Sequence, residues 1–127
     1  MNEQERRVMI LDFERNRQLL ASLSSQKQQI SLQLEIIDAS LEEMGKTKEK
    51  TVYKVIGNVL FPKDTKEMEK ELKEKRESTD LRLKTFQKQE ENLLKKLNST
   101  RAKLEAEMHD EKEKEEPIEK KKKWNYF

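Results

Sequence analysis

The sequence predicts a chain dominated by α-helix, built as a long antiparallel two-helix coiled coil and closed by one β-hairpin. Three observations carry this expectation. Apolar residues recur at alternating steps of four and three through both halves of the chain, which is the a/d repeat of a coiled coil. The only glycines and prolines are Gly45, Gly57, Pro62 and Pro117, so residues 1–44 and 66–116 are free of the residues that interrupt helices. Between those stretches, Thr51 to Pro62 alone is rich in strand formers, and it is centred on Gly57-Asn58, a two-residue turn with glycine at its first position.

Composition sets the outer bounds. With 127 residues, 32% hydrophobic and 43% charged, the chain is one domain at most and lacks the apolar content for a large globular core. That balance fits either disorder or a long-helix protein with a narrow apolar seam, and the placement of the breakers selects the helices. The 28 basic and 26 acidic residues are intermixed and leave a net charge of only +2, so no global field recruits nucleic acid or an anionic membrane. The absence of cysteine excludes disulfides and thiolate metal sites. No apolar run approaches the roughly 20 residues of a membrane span, and the charged N-terminus does not read as a signal peptide. The expected location is therefore cytoplasmic.

The first arm is expected over 5–44. Its seam visits Met9, Phe13, Asn16, Leu20, Leu23, Lys27, Ile30, Leu34, Ile37, Leu41 and Met44, and only Asn16 and Lys27 interrupt it. Gly45 is positioned to take a left-handed conformation after the last seam residue, with Lys46 and Lys48 complementing the helix dipole.

The hairpin segment is expected over 45–64, with Val52, Tyr53, Val55, Ile56, Gly57, Val59, Leu60 and Phe61 as its working residues. Gly57 at the first central position suits a type II′ turn. Pairing across it puts Tyr53, Val55 and Leu60 on one face and Val52, Ile56, Val59 and Phe61 on the other. A lone hairpin with two apolar faces is marginal in water, and this chain has no further strands, so the hairpin is expected to assemble with hairpins of other subunits. Pro62 is expected to stop regular pairing, and Asp64 with Glu67 has the spacing of a helix cap.

The second arm is expected over 65–108. Its seam visits Glu69, Leu72, Arg76, Thr79, Leu83, Phe86, Glu90, Leu93, Leu97, Thr100 and Leu104. One antiparallel register pairs Leu41 with Leu72, Ile30 with Leu83, Leu20 with Leu93 and Met9 with Leu104, and it brings the seam charges Lys27 and Glu90 near one another. Each arm is then on the order of 50–60 Å long, with both chain ends together at the end away from the hairpin.

At that open end Val8, Met9, Ile10 and Leu11 are consecutive apolar residues, and a two-helix seam covers only about half of them. With Phe13, Leu104 and Met108 they form either an adaptable surface for apolar segments of another chain or a patch buried between frayed ends and neighbours. Catalysis finds no footing. His109 is the only histidine and lies in a charged run, there is no phosphate loop or nucleophile elbow, and the carboxylates lie beside lysines on solvated helix faces. No enzyme activity, cofactor or metal is expected.

Gln26-Lys27-Gln28-Gln29 in the first arm, Val52-Tyr53-Lys54-Val55-Ile56-Gly57-Asn58-Val59-Leu60 in the hairpin, and Leu81-Arg82-Leu83-Lys84-Thr85-Phe86-Gln87-Lys88-Gln89-Glu90 in the second arm resemble prefoldin β-class subunits, the archaeal ones in particular. The resemblance covers roughly residues 8–108. α-class members carry two hairpins, and the interval from Gly45 to Asp64 holds one. The resemblance implies a hexamer of two alpha and four beta subunits, in which hairpins join into β-barrels as a hub and coiled coils hang as tentacles. It also implies capture of unfolded client proteins at the tentacle tips, here Val8, Met9, Ile10, Leu11, Phe13, Leu104 and Met108, and delivery to a group II chaperonin without nucleotide. The alternative is a structural coiled-coil adaptor or scaffold that shares the architecture and holds no client.

Residues 109–127 depart from the family pattern as a charged C-terminal extension, expected to be partly disordered. Lys120, Lys121, Lys122 and Lys123 followed by Trp124, Tyr126 and Phe127 suit a docking tail for phosphate-rich or acidic surfaces, although acidic residues just upstream offset the charge. The other reading is a solvated chain end.

Overall fold

The computed structural model describes residues 1–114. The elements follow in the order α1 (Glu3–Lys46), β1 (Thr51–Ile56), β2 (Val59–Asp64) and α2 (Thr65–Lys114). α1 begins with a reciprocal cap: the Glu5 amide donates to Asn2 Oδ1 at 2.8 Å, and the Asn2 amide donates to Glu5 Oε2 at 3.2 Å. This cap starts the helix earlier than the expected residue 5.

The other end of α1 corrects an expectation. Gly45 lies inside the helix, and Gly57 is the only residue described with a positive φ, so Gly45 does not take the left-handed terminating conformation. The helical ladder simply continues past it, with the Thr47 amide donating to the Glu43 carbonyl at 3.2 Å. A local turn then ends the helix, the Thr47 hydroxyl accepting from the Glu49 amide at 3.2 Å.

β1 and β2 pair antiparallel, with Val55 opposite Leu60 and Ile56 opposite Val59. Gly57 has φ 59° and Asn58 is not positive, which meets the type II′ requirement and excludes type I′. The register gives the two faces expected. Pro62, however, does not stop the pairing: it sits in β2 opposite Tyr53, and pairing continues to Thr51 and Asp64. The reason is parity. Thr65 donates its amide to the Lys50 carbonyl at 2.9 Å, one step beyond the last strand pair, so main-chain bonds fall on alternate pairs that omit the Tyr53–Pro62 pair. The missing N–H of proline therefore faces away from β1, and no bond of the ladder is lost.

α2 is capped by Asp64, whose Oδ2 accepts from the Lys66 amide at 3.1 Å and the Glu67 amide at 3.3 Å. The Thr65 hydroxyl also donates to the Glu49 carbonyl at 2.7 Å, tying the helix start to the segment before β1. The helix runs beyond residue 108 and takes in the beginning of the expected extension.

The chain divides into two compact units. One comprises Met1–Ser24 with α2 from Lys88 onward; there Phe13, Leu97 and Leu104 form a buried cluster, and Met9, Ile10 and Leu20 pack against it. Burying side chains of this size contributes about 1.5–3 kcal/mol each. The Ser24 hydroxyl donates to Glu90 Oε2 at 2.6 Å, which gives a carboxylate on the seam a partner. The other unit comprises Ser25–Gln87 and buries Ile30, Ile37 and Thr79. Along both helices the seam residues are buried or half-buried except Arg76, which lies at the margin and pairs with Asp38.

Candidate functional site

Two surfaces stand out, one in each unit. In the unit of residues 25–87 it is the hairpin. Tyr53, Val55 and Leu60 on one face and Ile56, Val59 and Phe61 on the other are all exposed, and only Val52 near the base is half-buried. Val55, the most open of them, is 66% exposed, an unusual state for a valine within a strand. A two-stranded sheet whose two faces are both apolar and open gains little stability alone, so its side chains are arranged for contact with another surface.

What steadies the hairpin is polar. Lys54 and Lys63 occupy opposite strands on the same face, and both ammonium groups converge on the Glu71 carboxylate one level down in α2. Lys54 Nζ lies 2.6 Å from Glu71 Oε1, and Lys63 bonds the other carboxylate oxygen. The hydrogen bonds from Lys54 and then Lys63, aided by their positive charge, hold the Glu71 carboxyl well below its ordinary 4.5, at about 2. Near the same end, Asp38 hydrogen-bonds the Arg76 guanidinium and raises its pKa further. These pairs fix the strands against α2 without covering their apolar side chains.

The second surface lies in the unit of residues 1–24 and 88 onward. Val8 and Leu11 are exposed, at 54% and 64%, and Met9, Ile10 and Met108 are half-buried. Phe13 and Leu104 do not belong to the surface: they are closed inside the seam, because their a/d positions turn them toward Leu97. Their place among the expected client-contacting residues is corrected to that of a supporting core. Leu19 falls on the same face of α1 as Val8 and Leu11 and is half exposed, and Leu94 is exposed on α2. In the unit of residues 25–87, Leu32, Ile36 and Leu81 are likewise exposed. None of these five is among the candidate site residues read from the sequence, although each is an apolar residue off the seam and visible as such. Lys120, Lys121, Lys122, Lys123, Trp124, Tyr126 and Phe127 lie outside the described residues.

The arrangement offers open apolar surface and a strand edge. No helix among those residues is long and apolar enough to cross a membrane. Against known families, the profile described as "Prefoldin subunit" matches residues 7–111. This chain belongs to the prefoldin subunit family. Prefoldin subunit beta of Archaeoglobus fulgidus is 34% identical to it over 97 residues, which are 76% of this chain and 84% of that one. Prefoldin subunit beta of Saccharolobus islandicus is 35% identical over 101 residues, 79% of this chain and 80% of that one. The crystal structure of the prefoldin beta subunit from Thermococcus strain KS-1 is similar in fold, with a TM-score of 0.73 and 28% identity over 80% of this chain and 90% of that one. The two long helices and single antiparallel hairpin are thus the prefoldin β fold. Prefoldins are chaperone subunits, not enzymes, and membership implies assembly with other prefoldin subunits.

Proposed function

We propose that this chain is the β-class subunit of an ATP-independent holdase, a hexamer of two alpha and four beta prefoldin subunits that captures non-native polypeptides and passes them to a group II chaperonin. The observation that carries the holding role is the exposure of Val8 and Leu11 above a closed Phe13–Leu97–Leu104 core: the apolar surplus stays open although the seam beneath it is complete. Half-buried Met9 and Met108 supply adaptable edges to that surface. The hairpin supports the assembling role, since its two open apolar faces call for neighbouring strands. Lys120 to Lys123 with the following aromatics form the segment that docks an acidic chaperonin surface.

Suppression of aggregation of a chemically unfolded protein by the purified assembly is the test. Protection that disappears on Val8→Ser with Leu11→Ser, while the assembly keeps its mass, is expected. An assembly that gives no protection at all is a structural scaffold, and the holdase reading is then wrong. Removing residues 117–127 is expected to slow transfer to a chaperonin trap and leave holding intact.

A further inference from the structure

The open patch at Val8 and Leu11 lies near the end of α2. A shallow groove runs along it, lined by Asn2, Glu3, Gln4, Arg7, Val8 and Leu11, all preceding or within the first turns of α1. Its apolar part is Val8 and Leu11, which stand one helical turn apart, about 5–6 Å between side chains. Its rim is polar and includes the Arg7–Glu3 ion pair at 3.0 Å. The main-chain nitrogen of Met1 lies 3.6 Å from Glu107 Oε1, so α1 begins level with Glu107 while α2 runs on to Lys114. From Lys114 back to Val8 is therefore on the order of 20 Å along the helix axes, with the width of α1, about 10 Å, to pass.

The sequence that follows α2 has the composition to fill that patch. From Glu105 to Glu116 there are seven acidic residues against two lysines. After Pro117, which has no N–H to continue a helical ladder, come Lys120 to Lys123 and then Trp124, Tyr126 and Phe127. The four lysines complement the acidic excess at the end of α2. Residues two apart in an extended segment, as 124 and 126 are, share a side at a spacing of about 7 Å, close to that of Val8 and Leu11. The ten residues 115–124 reach at most about 33–36 Å, which covers the distance from Lys114 to the patch.

We infer that residues 118–127 of this chain are an internal occupant of the Val8–Leu11 patch, with the aromatics covering the two apolar side chains and Lys120 to Lys123 lying against the acidic end of α2. An apolar segment arriving from another protein must then displace them, a consequence that rests on the reading of the patch as the client surface. A tether of about ten residues gives an effective concentration in the millimolar range, so a contact with a millimolar dissociation constant is already about half formed. A patch covered half the time lowers the apparent affinity for client only about twofold, because the uncovered fraction alone is competent. The segment thus shields the patch without blocking it. Capture of a client frees the same lysines and aromatics for an acidic chaperonin surface, which couples holding to delivery without nucleotide.

Trp124 is the only tryptophan of the chain, so its fluorescence reports the occupant directly. The experiment uses the full chain co-expressed with an α-class prefoldin subunit, with the Trp124→Phe assembly as blank. Trp124 is expected to emit at shorter wavelength, and to be quenched by acrylamide about half as strongly, in the parent as in the Val8→Ser/Leu11→Ser assembly. Both replaced side chains are exposed, so the helices survive the change. Lys120→Gln, Lys121→Gln, Lys122→Gln and Lys123→Gln together, or added salt, are expected to move the parent emission the same way. Identical emission and quenching in the parent and the Val8→Ser/Leu11→Ser assembly would overturn the assignment, whatever the assembly does with a client. An unfolded client without tryptophan is then added, and the parent emission is expected to move to that of the Val8→Ser/Leu11→Ser assembly. A client that is protected while the parent emission stays at short wavelength would overturn the coupling and move the client surface away from Val8 and Leu11, with the internal contact intact. Removing residues 117–127 is expected to raise the affinity for client about twofold at limiting assembly and to leave protection at excess assembly unchanged.

Discussion

Lys54 Nζ stands 2.6 Å from Glu71 Oε1, and Lys63 of the facing strand bonds the other oxygen of the same carboxylate. One acidic side chain of α2 thus holds both strands of a hairpin whose apolar faces are open. The consequence is a dependence on pH. Because Glu71 is depressed in the folded chain, the contribution of the clamp is fully present above the ordinary value of 4.5 and is lost as pH falls through about 2. The hairpin resonances are expected to shift and broaden over that window in an acid titration followed by NMR, and Glu71→Gln should abolish the transition. If the Glu71→Gln variant titrates like the parent, other carboxylates govern the transition. Since all three side chains are partly exposed, added salt should weaken the effect.

Assembly is expected to fail before folding does. Val55 and Leu60 face each other on the open side of the hairpin, and neither supports the helical seam. Val55→Asp with Leu60→Asp should leave helicity by circular dichroism within about a tenth of the parent while light scattering reports loss of the assembly.

Much of the fold is legible in the residues, for physical reasons that also explain the failures. A period of 3.5 constrains every turn of a helix, so the positions visited by the alternation from Met9 to Met44 and from Glu69 to Leu104 are all buried or half-buried except Arg76. Gly45 misleads because glycine is tolerated in a last helical turn when the ladder beyond it is satisfied, here by Thr47 and Glu43. Pro62 misleads because its effect depends on which pairs carry hydrogen bonds, and parity emerges only once the register is known. The Glu71 clamp escapes the sequence reading although a signal is there. Lys54 and Lys63 are the two polar residues on an otherwise apolar face, and a carboxylate lies one turn and a half into the following helix. Nearness in sequence groups Phe13 and Leu104 with the surface, whereas their heptad positions assign them to the seam.

That difference between Phe13 and its neighbour Leu11 is measurable. Phe13→Ala opens a cavity beside Leu97 and Leu104 and should lower stability by about 3–5 kcal/mol. Leu11→Ala removes a side chain that is mostly in water and should change stability by less than about 0.5 kcal/mol. Thermal melts followed by circular dichroism separate the two. Equal losses would place Leu11 in the core and remove it from the proposed client surface.

The last prediction concerns how holding scales with the number of competent subunits. Val8 and Leu11 expose a small apolar patch on each chain, and a patch of that size binds an unfolded segment weakly. Several copies carried on one assembly raise the effective concentration for the second and third contacts, so affinity grows as a product of weak steps and needs no tight site or nucleotide-driven release. Assemblies reconstituted from mixtures of parent and Val8→Ser/Leu11→Ser chains should therefore lose protection faster than in proportion to the variant fraction. At an equal mixture, protection of an unfolded client should fall well below half, while native mass spectrometry reports unchanged subunit number. A strictly proportional decline would mean that each subunit holds client independently. Full protection in the all-variant assembly would move binding to the exposed leucines and isoleucine elsewhere on the helices, Leu32, Ile36 and Leu81 among them.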